Sequence, residues 1–372
     1  MRRTRLAVIG LGMASAPHAR SLADLADRVE VAAVYSPNAE RRNAFAAEHG
    51  FPAADSLEAV LGDPAIEAVM VLTPPSSHLE LVRRAAAAGK HILLEKPLET
   101  SLSRAHALVE TAETAAVTLA VVLQHRFRPV GEALVKAVRD GRLGALVGAS
   151  ARLANWRPQS YYDQPGRGTR ARDGGGVLLT QAIHTLDLMI AAAGLPAEAT
   201  GYVATSPVHR METEDLAFAA LRFPGGALGG IAATTAAFPG FDDAVEVIGS
   251  AGTARLDGTT LTLHLHDGTE ATLTDASPGG ERHLGEGVAA EPGDERHLGA
   301  QPARGDRLVG ALAARPKLEG TAEDGLAEAR LAFGPIGGVG DEDTEDDDGP
   351  AGGHGGHVAS GGTTPLRNAK QP

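Results

Sequence analysis

Three short stretches carry residue types that could do chemistry together. Glu95-Lys96-Pro97 follows the apolar run His91-Ile92-Leu93-Leu94, which reads as a buried strand of a parallel sheet. Ligands of open α/β sheets bind just outside the carboxyl ends of the strands, where this tripeptide falls. Pro97 fixes its own backbone and biases Lys96 toward an extended conformation, so the ammonium is aimed; the plainer alternative is a surface lysine at a strand end. Much later, Gly174-Gly175-Gly176 opens a helical pattern running from Val177 to about Ala193. Thr180, His184 and Asp187 share one face of it, at i, i+4 and i+7, beside an apolar stripe of Leu179, Ile183, Leu186 and Ile190. Such a polar stripe either lines a cleft or satisfies buried backbone. The glycine run before it permits close approach of a ligand, which favours the cleft.

The third stretch is Gly10-Leu11-Gly12-Met13-Ala14-Ser15, between the apolar run Leu6–Ile9 and an Ala-rich helical segment. Strand, glycine turn and helix are the context a dinucleotide fingerprint requires. Gly10 permits the tight turn, Gly12 lets the backbone approach a pyrophosphate, and small Ser15 allows close helix–strand packing. The helix amino terminus supplies unpaired N–H groups for the phosphates. A second strand, Glu30–Tyr35, ends at Ser36, where an NAD site usually offers a carboxylate to the ribose. Serine neither chelates the diol nor repels a 2′-phosphate, and Arg41 and Arg42 follow. NADP is therefore favoured no less than NAD, unless the arginines are simply solvated helix charges.

Strand and helix signals keep alternating through Ile66–Leu72, a helix after Thr73-Pro74-Pro75-Ser76-Ser77-His78, a helix from Ser101 to Ala115, and a strand from Val117 to Leu123. That alternation predicts a doubly wound α/β sheet over residues 1–123. Ser76 or Ser77 is the expected N-cap of the helix after the prolines. Gln124 to Pro129, with Arg126 and Arg128, crosses into a second region spanning 124–276. It begins with a helix and a strand and continues through an irregular loop holding Trp156-Arg157, Tyr161-Tyr162 and Arg167. Scarce aromatics concentrated with arginines in a long loop point to a binding lid more than to core. Strand-like runs from Ala199 to Leu273, separated by Gly-rich turns, predict an open, mainly antiparallel sheet and an α+β class for this region.

The 372 residues allow two domains. A net charge of −13 argues against nucleic acid or anionic membrane as partner. Cysteine is absent, so neither disulfides nor thiolate chemistry are available. No apolar run approaches the length of a membrane span, and a cytoplasmic protein is expected. No metal is expected either, since His354 and His357 lack ordered partners.

Taken in order, Gly10-Leu11-Gly12, Thr73-Pro74-Pro75 with His78, Glu95-Lys96-Pro97, and Gly174-Gly175-Gly176 with His184 and Asp187 resemble the Gfo/Idh/MocA oxidoreductases, relatives of glucose–fructose oxidoreductase and inositol dehydrogenase. The resemblance runs to about Leu273. It implies a Rossmann domain, a second domain whose open sheet often builds dimers or tetramers, and NAD(P)-dependent oxidation or reduction of a sugar, polyol or related cyclic alcohol. Gly10, Gly12, Met13, Ser36, Arg41, Thr73, Pro74, His78, Glu95 and Lys96 would serve the cofactor. Arg126, Trp156, Arg157, Tyr161, Arg167, Thr180 and Asp187 would serve the substrate. Lys96 would hydrogen-bond the reacting hydroxyl, and His184 would take or give its proton. Many members carry aspartate four residues before that histidine, where this chain has Thr180. The surrounding residues look more like members acting on nucleotide-linked or acidic sugars, with Arg157, Arg167 or Arg172 holding the anion. The rival expectation is a cofactor-binding sensor, or an inactive truncated member. From residue 277 the pattern fails: glycine and proline abound, Glu-Arg-His-Leu-Gly recurs at 281 and 295, and 341–348 is almost wholly acidic. This stretch is expected to be an atypical, disordered tail, as a shifted reading frame would leave.

Overall fold

The computed structural model describes residues 2–275, so the expectations for the tail lie outside the described residues. Five short apolar runs form a parallel sheet: β1 (Thr4–Ile9), β2 (Val29–Tyr35), β3 (Ala68–Val71), β4 (His91–Leu94) and β5 (Leu119–Val121). Their order is β2-β1-β3-β4-β5. Every residue of β3 is buried, as a strand covered on both faces must be. The covering helices are α1 (Ser15–Asp24), α2 (Ala39–His49), α3 (Leu57–Gly62), α4 (His78–Ala87) and α5 (Leu102–Thr114). The side chains of Asn38, Ser56 and Ser101 accept N–H groups at the starts of α2, α3 and α5, as their residue types favour. The order reverses between β1 and β3, and the crevice at that switch point is where a doubly wound sheet takes its ligand.

The expected serine cap of α4 does not form. Ser77 instead donates its hydroxyl to Thr73 Oγ1 and the Pro74 carbonyl, both at 2.8 Å, and a short 3-10 turn at Pro75–Ser77 leads into the helix. The N–H of Leu79 goes to Glu99 Oε1 at 3.1 Å. Glu99 is buried and carries Arg104 on both oxygens, at 2.7 and 2.9 Å. Burial opposes its charge, yet the hydrogen bonds from Arg104, Thr100 and Leu79 prevail and hold its carboxyl below the usual range. A side chain twenty residues downstream thus does the work expected of the serines.

The second part begins with α6 (Pro129–Arg139) and β6 (Leu146–Ala154). Four helical segments follow: α7 (Gln159–Tyr162), α8 (Arg170–Asp173), α9 (Val177–Thr180) and α10 (Ile183–Ala193). Seven strands complete it: β7 (Glu198–Ala204), β8 (Leu216–Arg222), β9 (Leu228–Thr234), β10 (Ala244–Gly249), β11 (Gly252–Asp257), β12 (Thr260–Leu265) and β13 (Glu270–Thr274). They form one sheet with β6, ordered β13-β12-β11-β10-β6-β9-β8-β7. The pair β6 and β9 is parallel and every other pair antiparallel, so the mainly antiparallel sheet expected from the sequence is present. Val130 and Leu134 of α6 and Leu186, Leu188 and Met189 of α10 pack with Val245 and Val247 in one core.

The single helix expected from Val177 to Ala193 is broken. Gln181 and Ala182 separate α9 from α10, and the axis bends by 52° there. At the break the Thr180 carbonyl accepts a hydrogen bond from Lys96 Nζ at 2.9 Å, and insertion of a side chain into the helical ladder is a standard cause of such kinks. The periodicity is correct on either side, but a tertiary contact 84 residues away interrupts it.

Where α6 meets the turn below the cleft, Gly131 is buried and a Cβ there would lie 2.2 Å from the His125 carbonyl oxygen. Backbone cannot yield as a flexible side chain can. Gly131→Ala is expected to destabilise the fold by about 2–4 kcal/mol in urea unfolding.

Candidate active site

A cleft of about 1940 Å³ is lined by the glycine turn, the ends of β3 and β4, the loop after β6, and the start of α10. Gly10 has φ +97°, and a Cβ there would meet the Leu72 carbonyl carbon and Thr73 Cγ2 at 2.8 Å. Glycine at this position therefore lets the exits of β1 and β3 cross. Nothing lies within 4 Å of a Cβ placed on Gly12, which faces the cleft with Met13. Ser15 is buried and closes the turn by donating to the Gly12 carbonyl at 2.7 Å. No side chain caps α1; the Ser15 N–H is spent on the Gly12 carbonyl at 3.0 Å and Pro17 has none, which leaves the Ala16 N–H among its first three residues for an anion. An open glycine before an uncapped helix fits a dinucleotide pyrophosphate.

Beyond the end of β2, Arg41 reaches the cleft while Ser36 and Arg42 do not line it. Ser36 is buried, and its hydroxyl accepts the Asn38 N–H at 3.4 Å. Arg42 donates to the Ser36 carbonyl at 3.0 Å and serves the turn. Arg41 lines the cleft, together with Arg20 of α1, which sequence reasoning missed because nothing in an Ala-rich helix marks one arginine over another.

Thr73 and Pro74 reach the cleft, but His78 does not. It is completely buried, with Nε2 2.9 Å from the Thr73 carbonyl and Nδ1 3.2 Å from that of Leu98. Burial pushes its imidazole down, against the pull of the two carbonyls. His78 ties the loop after β3 to the loop carrying Lys96, so its service to a cofactor is indirect. Glu95 faces the cleft and its Oε2 lies 3.1 Å from His18 Nε2, a partner with no sequence signal. The Lys96–Pro97 peptide is cis.

Lys96 and His184 open into the same cleft. One Lys96 donor is spent on the Thr180 carbonyl, which leaves two. His184 sits in the first turn of α10, with the His125 ring centroid 5.1 Å from its own. His125 also lines the cleft and was not anticipated. The Thr180 hydroxyl turns onto its own helix, donating to the Gly176 carbonyl at 2.7 Å. Gly176 is needed there, because a Cβ would lie 1.8 Å from the Glu214 carbonyl oxygen. Glu214 Oε1 and Oε2 each accept the Gly176 N–H at 3.0 Å, and burial raises its carboxyl above the usual range.

Arg126 and Asp187, expected at the substrate, are not on the cleft wall. Asp187 is fully buried, and Arg126 grips it through Nε, 2.7 Å from both carboxylate oxygens, and through Nη2. A charge sealed from water needs such a partner, so the pair fixes α10 to the turn bearing His125. Trp156 is likewise structural, packed against His209 at 6.0 Å and Phe238 at 5.4 Å. Arg157, Tyr161 and Arg167 do reach the cleft. The two guanidiniums lie 4.8 and 4.0 Å from the Tyr161 ring centroid, and Gln181 bonds both Arg157 and the Tyr161 hydroxyl at 3.0 Å. Arg172 donates to the Pro165 carbonyl at 2.9 Å.

Asp243, which also lines the cleft, precedes β10 and accepts the Thr185 hydroxyl at 2.8 Å on Oδ2. Burial pushes its carboxyl up to about 6, against the pull of Thr185 and Arg128. Its position just before an ordinary strand offered no signal.

This geometry defines a nicotinamide-binding oxidoreductase: a dinucleotide crevice whose strand-end lysine meets a helix-borne histidine from a second sheet. The chain belongs to the Gfo/Idh/MocA oxidoreductase family, matching its NAD-binding Rossmann model over residues 4–123 and its C-terminal domain model over 132–255. It is 30% identical over 256 residues to a myo-inositol 2-dehydrogenase of Thermotoga maritima, covering 67% of this chain and 73% of that one. It is 33% identical to a 1,5-anhydro-D-fructose reductase of Ensifer adhaerens, covering 54% of this chain and 60% of the relative's length. Among solved structures, the WlbA dehydrogenase of Bordetella pertussis, in complex with NADH and UDP-GlcNAcA, superposes with a TM-score of 0.74 at 26% identity, over 90% of this chain and 96% of that one.

Because folding raises the Asp243 pKa, its charged form is penalised in the native state above about pH 6, and the penalty fades as pH falls toward the ordinary carboxylate range. Asp243→Asn removes that penalty. At about pH 8 it is expected to be more stable than the parent by roughly 2 kcal/mol, with the gap closing near pH 4, as measured by thermal melts across pH.

Proposed function

We propose that the chain transfers hydride between a nicotinamide cofactor and the carbinol carbon of a sugar, polyol or related cyclic alcohol. The supporting observation is that Lys96, from the end of β4, and His184, from the start of α10, face one cleft together with the glycine turn. Gly12, Met13, Thr73, Pro74, Glu95 and Lys96 would hold NAD(P), which supplies the hydride acceptor or donor. The two remaining Lys96 donors stabilise developing alkoxide on the substrate oxygen, and His184 takes the hydroxyl proton. The ionisable partner that many relatives have four residues before the histidine is absent, and the Thr180 hydroxyl is spent on Gly176. Lys96 and His184 therefore share the proton chemistry. That same observation favours the rival, a cofactor-binding sensor without turnover.

The arginine–tyrosine wall supports an acidic or nucleotide-linked sugar as substrate, with Arg157, Arg167 or Arg172 on the anion. The UDP-GlcNAcA bound by the WlbA relative is of that kind. Cytoplasmic placement and a homodimer or homotetramer complete the proposal. Exposed Tyr202, Phe218 and Leu228 on the second sheet supply an apolar surface for the oligomer.

With NADH or NADPH bound, sugars, polyols and UDP-linked sugar acids are screened by nicotinamide absorbance. Lys96→Ala and His184→Ala are each expected to lower kcat by about 10²–10⁴, and His184→Ala to do so while cofactor affinity holds. Tight cofactor binding with no turnover on any substrate would establish the sensor instead. For the cofactor, Arg41→Ala is expected to weaken NADPH binding about tenfold and leave NADH within about twofold, measured by fluorescence titration. Equal effects on both would remove Arg41 from a 2′-phosphate site.

A further inference from the structure

Two half-buried carboxylates near the cleft are used differently. Both oxygens of Glu214 accept backbone N–H groups, so that carboxylate is consumed by the fold. Asp243 spends only Oδ2, on Thr185. Its other oxygen has no hydrogen-bond partner among the described residues, yet is not among the sealed, unpartnered polar atoms, and Asp243 lines the cleft. The segment carrying it is pinned: the Phe241 N–H donates to the Ala154 carbonyl at 2.8 Å, and the Gly258 N–H donates to the Asp243 carbonyl at 2.8 Å. Thr185 directly follows His184 and is almost wholly buried, so the anchor of Asp243 belongs to the same helical turn as the histidine. A half-buried carboxylate held at one oxygen and open at the other is an acceptor set in place for a ligand.

The charges facing Asp243 sharpen what that ligand is. Arg128 attracts it and Asp242, also on the cleft wall, repels it. Arg157 and Arg167 line the same cleft. The cleft therefore carries carboxylates from the segment just before β10 and guanidiniums from the loop after β6. We propose that Asp243 is a substrate-binding residue, accepting a hydrogen bond from a free hydroxyl of the sugar held at His184 while the arginine wall holds an acidic group at the sugar's other end. The inference rests on the dehydrogenase reading and deepens it: the substrate is selected at both ends, by an anion on one side and a hydroxyl donor on the other. Neutral Thr180 is then matched by a carboxylate from the segment before β10, which contacts substrate and not the reacting proton.

The test is calorimetric titration of the NADH-saturated protein with myo-inositol, levoglucosan, UDP-N-acetylglucosamine and UDP-N-acetylglucosaminuronic acid. UDP-N-acetylglucosaminuronic acid is expected to bind most tightly. Asp243→Asn keeps the Thr185 bond through its amide oxygen but turns an N–H₂ donor toward the cleft. It is expected to weaken the tightest ligand about tenfold or more while the NADH Kd stays within about twofold. Thr185→Val, which releases the anchored oxygen, is expected to weaken it about threefold and serves if the first variant fails to fold. Affinity unchanged in these variants overturns the assignment of Asp243 and leaves the dehydrogenase reading standing. Binding of none of the four ligands to the wild-type holoprotein overturns both.

Discussion

A single hydrogen bond, from Lys96 Nζ to the Thr180 carbonyl, joins the two halves of the site. It takes an ammonium from the carboxyl end of a parallel strand and fixes it on a helix belonging to the other sheet. The acceptor is available because the helix breaks at that residue, and the break starts a fresh turn at Ile183 that carries His184. The position of the lysine and the direction of the histidine are thus consequences of one contact. An uninterrupted helix would give Lys96 no such acceptor and would place His184 elsewhere.

Around that bond, charges divide into those the fold consumes and those the cleft keeps. Arg126 with Asp187, Arg104 with Glu99, and Glu214 with the glycine run are pairings in which burial forces polar groups onto one another. Each fixes a loop or helix start near the site, and none presents a spare donor or acceptor that the geometry assigns to substrate. Arg41, Arg157, Arg167 and Asp243 remain on the wall. The cleft thus keeps both guanidiniums and a carboxylate, groups suited to a ligand that carries both an anion and hydroxyl donors.

His78 shows how a motif residue can matter without touching a ligand. Both of its ring nitrogens face carbonyls, on the loop after β3 and on the loop beyond Pro97. Those loops flank the switch point where the cofactor belongs, so their spacing depends on one buried imidazole. Trp156 plays a comparable part in the loop after β6, with its ring tilted against His209 and edge-on to Phe238 while the neighbouring Arg157 lines the cleft.

Much was legible in the order of residues because the governing interactions are local. The buried runs Leu6–Ile9 and His91–Leu94, the glycine turn, and the alternation of strand and helix follow from periodicity and backbone geometry, which act over a few residues. Lys96 and His184 were also identifiable, through their motifs. What sequence could not show were relations between distant segments. The break at Gln181, the replacement of a serine cap by Glu99, and the capture of Arg126 by Asp187 all arise from contacts spanning twenty residues or more. Asp243 and Arg20 were silent for the same reason. A carboxylate before an ordinary strand, or an arginine on an ordinary helix, acquires meaning only from what packing sets opposite it, and packing depends on the whole chain at once.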